Sequence, residues 1–320
     1  MLAVTAVLAA FALSAAVLRL LLLPRVAAWF LDHPNERSLH ASPVPRTGGL
    51  GIMLAVIIGM LLVGGNGLLV ALAVSLTLLS LFDDWKSLPS GVRLLGHLTV
   101  AVIFVLVFFP DANWITLLLL MLAVGWMTNL YNFMDGADGL AGGMAVVGFG
   151  TYAVAAWLAG NSQFALESVS IAAAATAFLI FNFPPARMFM GDSGSIPLGF
   201  LAAALGLVGY RQELWPLWFP LVVFGPFVAD ASVTIVRRVL RGERIWQAHR
   251  SHYYQRLVLA GWTHRRLVFA EYGLMLISSI AALLALRQLL SVQLLILGGL
   301  AAVYTLIGSA VDRRARLQGK

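Results

Sequence analysis

Asn129, Asn132 and Asp135 recur every third residue in the stretch Asn129-Leu-Tyr-Asn132-Phe-Met-Asp135-Gly-Ala-Asp138-Gly-Leu. On a helix each is displaced by about 60° from the last, which predicts one shared polar face. Gly136 and Gly139 then interrupt the helix, freeing backbone N–H groups and allowing close approach of a ligand. Amides and carboxylates at this density beside an apolar segment are costly unless they bind something polar. A second acidic site, Asp83-Asp84, follows the apolar run that ends Leu81-Phe82. Adjacent carboxylates repel, so the pair suits handling of a cation or a proton; a polar helix end solvated at the headgroups is the plainer reading.

A third stretch runs Asn182-Phe-Pro-Pro-Ala-Arg187-Met-Phe189-Met-Gly191-Asp192-Ser-Gly194-Ser195. The two prolines stop a helix, and the Gly-Asp-Ser-Gly-Ser piece predicts an oxygen-rich loop that enters a helix N-terminus, where unpaired N–H groups attract anions. Asp192 can hold a divalent ion against the same phosphates, Arg187 adds a cation, and Phe189 offers an aromatic face to a base. A capping loop is the alternative. The fourth stretch, His249-Arg250-Ser-His252 with Arg256 beyond, suits phosphate better than a metal, because two histidines alone make a weak zinc site. Arg37, His40 and Arg46, in a proline-punctuated loop, can also reach an anion. Asp230 and Arg237, two helical turns apart, are expected to pair for structural reasons.

These stretches must be held by a membrane protein. Of the 320 residues 61% are hydrophobic and 11% charged, with a mean hydropathy of +0.91, far from the balance of a water-soluble domain. The chain has no cysteine, which excludes disulfides, thiolate metal sites and cysteine nucleophiles, so any metal is held by oxygen or imidazole. The net charge of +7 then reads as topology and an anion-facing surface rather than as nucleic-acid binding.

Eleven apolar segments approach the length of a spanning helix: about 2–23, 48–64, 67–82, 93–109, 114–130, 142–159, 165–181, 194–209, 215–237, 267–286 and 290–311. The first lacks a basic leader and carries Arg19 deep within it, so it reads as a retained helix rather than a signal peptide. Alternate connections divide the basic residues eighteen to two, the minority being Arg211 and Arg287. The positive-inside rule therefore predicts an outside N-terminus, a cytoplasmic C-terminus, and cytoplasmic loops at 24–47, 83–92, 131–141, 182–193 and 238–266. The acidic, amide and histidine stretches all fall on or beside those loops. The prediction is one all-α, polytopic membrane domain over 1–320, with its chemistry on the cytoplasmic face.

Asp83-Asp84, the Asn-x-x-Asn-x-x-Asp-Gly-x-Asp-Gly-Leu-Ala segment from 129 and the Pro-Ala-x-x-Phe-x-Gly-Asp-x-Gly-Ser segment from 185 occur in the order of the polyprenyl-phosphate N-acetylhexosamine-1-phosphate transferases, which the chain resembles over nearly its whole length. The resemblance implies Mg(2+), or Mn(2+) in its place, and transfer of a sugar-1-phosphate from a UDP-N-acetylhexosamine to undecaprenyl phosphate with release of UMP. It implies that Asp192, with Asp84, ligates the metal, that Phe189 stacks on uracil, and that Asn129, Asn132, Asp135, Asp138, Arg187, His249 and Arg250 surround the nucleotide sugar. It assigns Asp83, Asp84, Asp192 and His252 to catalysis, with Asp83 deprotonating or positioning the lipid phosphate, and Arg46 and His40 to binding that phosphate. It places the enzyme in a bacterial inner membrane, and relatives of this kind dimerise. The motif His249-Arg-Ser-His252 is similar to that of O-antigen initiating members that use GlcNAc, FucNAc or QuiNAc, and differs from the consecutive histidines of the peptidoglycan enzyme that takes MurNAc-pentapeptide. A secondary transporter would instead place its ionisable groups near the midplane. An aromatic prenyltransferase would have no use for the Gly191-Asp192-Ser193-Gly194 loop.

Overall fold

Apolar runs that must satisfy their backbone groups without water fold as helices. The computed structural model describes residues 2–32, 43–244, 247 and 249–317, and it is helical apart from one antiparallel pairing of β1 (Leu31–Asp32) with β2 (Val44–Pro45). The helices are α1 (Leu2–Leu21), α2 (Pro24–Ala27), α3 (Gly48–Leu62), α4 (Gly67–Lys86), α5 (Ser90–Phe108), α6 (Trp114–Phe133), α7 (Leu140–Leu158), α8 (Ser162–Asn182), α9 (Asp192–Arg211), α10 (Trp218–Val223), α11 (Gly225–Leu240), α12 (Tyr253–Leu259), α13 (His264–Ala285) and α14 (Leu290–Leu317). Among the described residues nine of them, α1, α4 to α9, α13 and α14, are long and apolar enough to cross a membrane. The chain is an all-α polytopic membrane protein.

Each of the eleven predicted segments coincides with helix, and two differ in form. The second, α3, has only 15 residues. The ninth is not continuous: it breaks at Phe224 into α10 and α11, because Pro226 lacks an N–H and its ring opposes the carbonyl one turn back. Local chemistry fixes several starts. The side-chain oxygens of Asn66, Asn113, Asn161 and Thr263 each accept a hydrogen bond from a first-turn amide of α4, α6, α8 and α13.

Helix α9 is the centre of the bundle, with 83% of its span buried against 11% for the peripheral α14. It packs on α3, α4, α6, α7 and α10. Its first turn meets that of α3 almost backbone to backbone: a Cβ on Gly49 would lie 2.2 Å from the Gly194 nitrogen. Small residues allow this approach between helices in a membrane. The same region is strapped by main-chain bonds. The amides of Gly48 and Gly49 donate to the carbonyls of Phe189 (2.9 Å) and Met190 (2.7 Å), and the Phe189 amide donates to Pro45 (2.8 Å). Asp192, on the first turn of α9, is thereby fixed relative to Arg46. Gly49→Ala is expected to force the two helices apart and destabilise the protein by about 1–3 kcal/mol, with a matching fall in melting temperature; an unchanged melt would show that this contact is loose.

Candidate active site

The amide of Leu88 donates to Asp83 Oδ1 (2.7 Å), and Ser87, with φ 52°, turns the chain there, so α5 returns beside the end of α4. That return brings Arg93 against the acids. Its Nη1 lies 3.0 Å from Asp83 Oδ2 and 3.7 Å from Asp192 Oδ2, so one guanidinium bridges the α4 end to the α9 start. Asp84, next in sequence, points elsewhere. Its Oδ2 is 3.4 Å from the Ser193 amide, and its Oδ1 is 4.0 Å from Arg46 Nη1, which also lies 3.8 Å from Asp32.

Helix α6 supplies the amides. Asn132 Oδ1 accepts from Ser195 Oγ (2.8 Å) while the Asn132 side chain also hydrogen-bonds Asp192. Asn129 donates to the Gly125 carbonyl (2.7 Å), and its Oδ1 lies 3.3 Å from Nδ1 of the buried His97. Asp135 departs from the predicted helical face, because α6 ends at Phe133 and Met134 is its cap. It still reaches the same cavity. Burial pushes its carboxyl well above the usual carboxylate range, and Asp192 and Asp84 push in the same direction.

A cavity of about 620 Å³ is lined by Asp83, Arg93, His97, Asn129, Asn132, Asp135 and Asp192, with His249 and His252, whereas Asp84 and Arg46 lie outside its lining. The rings of His249 and His252 lie 4.9 Å apart. His249 is held by Ser251 (Nδ1 to Oγ 2.8 Å), and burial, reinforced by His252 and Arg238, pushes its imidazole down to about 4. Its ring is therefore neutral at neutral pH in the free site. Between about 4 and 6.5 the unfolded chain takes a proton that the folded chain refuses, so this residue makes stability fall as pH falls through that window. His249→Gln is expected to flatten the acid side of a melting-temperature profile; an unchanged slope would contradict the assignment.

Other predicted residues lie apart from the cavity lining. Asp138 is ion-paired to His264 (3.0 Å) and accepts from the Ala186 amide (3.0 Å), so it braces three segments at one end of the helices. Arg187 is exposed, with its guanidinium over the Phe181 ring at 5.2 Å. Phe189 is half-buried in the strap beside Gly48, and Arg250 is exposed. Arg46 adjoins Asp84 as described, and His40 lies outside the described residues. One expectation is corrected. Asp230 does not pair with Arg237, because Arg237 and Arg256 both reach Asp312 on α14, while Asp230 faces His252. Gly136 is exposed on the cavity lining, and a side chain there would meet the Tyr254 hydroxyl, which stands 2.2 Å from its Cβ position and donates to the Phe133 carbonyl.

Sequence reasoning passed over Arg93, His97 and the Asp230–His252 pair. Arg93 had one legible signal: it follows Asp83 by ten residues across a Ser-Leu-Pro-Ser turn.

The electrostatic balance defines what the cavity can take. Asp83, Asp84, Asp135 and Asp192 face only two guanidiniums, Arg93 and Arg46, and their crowding is part of what raises the Asp135 carboxyl. A cation placed among them would relieve that repulsion. Among the described residues no three His, Asp or Glu side chains group closely enough to hold a metal by themselves.

The family model described as Glycosyl transferase family 4 matches residues 67–210. The chain is 33% identical over 273 residues to a probable undecaprenyl-phosphate N-acetylglucosaminyl 1-phosphate transferase of Bacillus subtilis, covering 79% of this chain and 76% of the relative. It is 31% identical over 264 residues to a phospho-N-acetylmuramoyl-pentapeptide-transferase of Geobacillus thermodenitrificans, covering 71% and 79%. A protein of the same description from Halalkalibacterium halodurans is 28% identical over 277 residues, covering 76% and 83%.

Proposed function

The chain belongs to glycosyl transferase family 4, and from that premise we propose that it transfers an N-acetylhexosamine-1-phosphate from a UDP-sugar to undecaprenyl phosphate, releasing UMP and forming a lipid-linked sugar diphosphate. The observation that carries the reading is the single cavity in which three acidic stretches and the two histidines meet. A divalent ion would shield the diphosphate of the donor from these carboxyls, and His249 and His252, on the same lining, can meet its phosphates.

In this reading an oxygen of the lipid phosphate attacks the β-phosphorus of the donor, and the bond from that phosphorus to the oxygen bridging to the α-phosphorus breaks, so UMP leaves with the electron pair. Asp84 and Asp192 would hold magnesium, which when bound would offset charge on the diphosphate. Asp83 already accepts from Leu88 and Arg93, so its part is to aim Arg93 at the transferring group. Asn132 orients Asp192, and Arg46 meets the lipid phosphate. Phe189, three residues before Asp192, takes the uracil.

The donor is GlcNAc or a 6-deoxy N-acetylhexosamine, for initiation of O-antigen or another envelope polysaccharide at the cytoplasmic face of the inner membrane. The His249-Arg-Ser-His252 motif and the likeness to the Bacillus subtilis relative support this choice. Incubating the purified protein with undecaprenyl phosphate, magnesium and a panel of UDP-N-acetylhexosamines should release UMP with the GlcNAc-type donors. Release with UDP-MurNAc-pentapeptide alone would instead make it a peptidoglycan enzyme. The single displacement predicts no incorporation of labelled UMP into UDP-sugar without lipid acceptor. Exchange under those conditions would establish a covalent phosphosugar intermediate.

A further inference from the structure

Asp230 is buried on α11 and receives an unusual number of donors for one carboxylate. Its Oδ1 accepts from the Tyr253 amide (2.9 Å) and from Thr234 Oγ1 (3.2 Å), and lies 3.2 Å from His252 Nδ1. Its Oδ2 accepts from the Tyr254 amide (3.0 Å). The two amides belong to the first turn of α12, so the acid both starts that helix and faces the histidine preceding it. An ionised carboxylate can only accept hydrogen bonds. The contact with Asp230 favours a proton on Nδ1 of His252, which leaves Nε2 for the cavity.

We propose that Asp230 is the positioning residue of His252, fixing its ring as the Nδ1–H form so that Nε2 alone addresses the phosphates of the substrate. Asp230 itself does not line the large cavity; its other side faces a separate void of about 230 Å³ that also meets Glu271 and Tyr304. It acts through His252. When Nε2 takes a proton, the ring donates from both nitrogens, to a phosphate oxygen and to Asp230, and the carboxylate compensates its charge. Phe133 and Tyr254 lie beside the ring at 6.2 and 5.9 Å, and His249 keeps its own Nδ1 on Ser251. The Gln255 amide of the first turn of α12 also faces the His252 side chain, so the charge of Asp230 is what decides in favour of a proton on Nδ1. An acid placed behind a histidine in this way sets the tautomer in the hydrolase triads.

The action of His252 on phosphate rests on the proposed function, whereas the placement of its proton does not, and one experiment separates the two. Nitrogen-15 spectra of histidine-labelled full-length protein in nanodiscs, with His252 assigned by its loss in His252→Gln, report the tautomer at alkaline pH. The wild type should show Nδ1 protonated and Nε2 bare, and Asp230→Ala should shift the ring toward the Nε2–H form. Asp230→Asn keeps most of the helix cap but loses the charge, so kcat should fall about 10²- to 10³-fold while KM for the UDP-sugar changes by less than about threefold. A wild-type ring protonated on Nε2, or Asp230→Asn turning over at the wild-type rate, overturns the proposal. A wild-type ring protonated on Nδ1 in a protein that transfers no sugar phosphate upholds the proton placement and overturns the proposed function.

Discussion

Asp192→Asn should lower sugar-phosphate transfer by about 10³-fold or more while leaving the melting temperature near that of the wild type. The substitution preserves shape and the bond to Asn132 but removes the charge at the point where α9, α4 and α5 converge. Asp192 lies 3.7 Å from Arg93 and hydrogen-bonds Asn132, and the amide of the residue after it approaches Asp84. The amide variant leaves Arg93 compensated by Asp83 alone and removes one of the two carboxylates proposed to hold magnesium. The measurement is UMP release at saturating donor and lipid over a magnesium titration. Turnover within about tenfold of the wild type, with the same magnesium midpoint, would remove Asp192 from the centre of the site.

Arg93→Ala separates charge from geometry. Its guanidinium bridges Asp83 and Asp192, so its loss should lower kcat by about 10²-fold, the scale of one preorganised donor at a transferring group. The sign of the metal effect is opposite. Removing a positive charge from beside the carboxylates deepens the local negative potential, so the magnesium midpoint should fall even as turnover falls. Arg93→Lys keeps the charge and cannot span both acids, and should lie between the two. A raised magnesium requirement in Arg93→Ala with normal kcat would assign Arg93 to holding the fold of the α4–α5 turn instead.

Much of the membrane architecture is legible because its cause is local. Long apolar runs become helices, whereas the break between α10 and α11 falls inside the run 215–237 that hydropathy alone reads as continuous. The acidic stretches are legible for the same reason: four carboxylates, two amides and an Asp-Ser-Gly-Ser loop beside apolar segments have a high solvation cost that calls for a ligand. What the sequence hides is pairing across the chain. Asp230 and Arg237 lie on one helix and suggest one another, yet the closer competitor for Asp230 is His252, twenty-two residues away on a returning loop. The resemblance puts Asp138 beside the nucleotide, and nothing in the sequence signals that its carboxyl also meets His264 and the Ala186 amide. These partners lie far away in the chain.

The central claim is that acidic stretches far apart in the chain open into one cavity on one side of the membrane and bind a nucleotide diphosphate there. The chain has no cysteine, so single cysteines at positions 84, 135 and 192 can be labelled without background. In sealed vesicles of known orientation, a membrane-impermeant maleimide should reach all three from the cytoplasmic side only, and UDP-sugar should protect them together. Labelling of any one of the three from the opposite side would contradict the account.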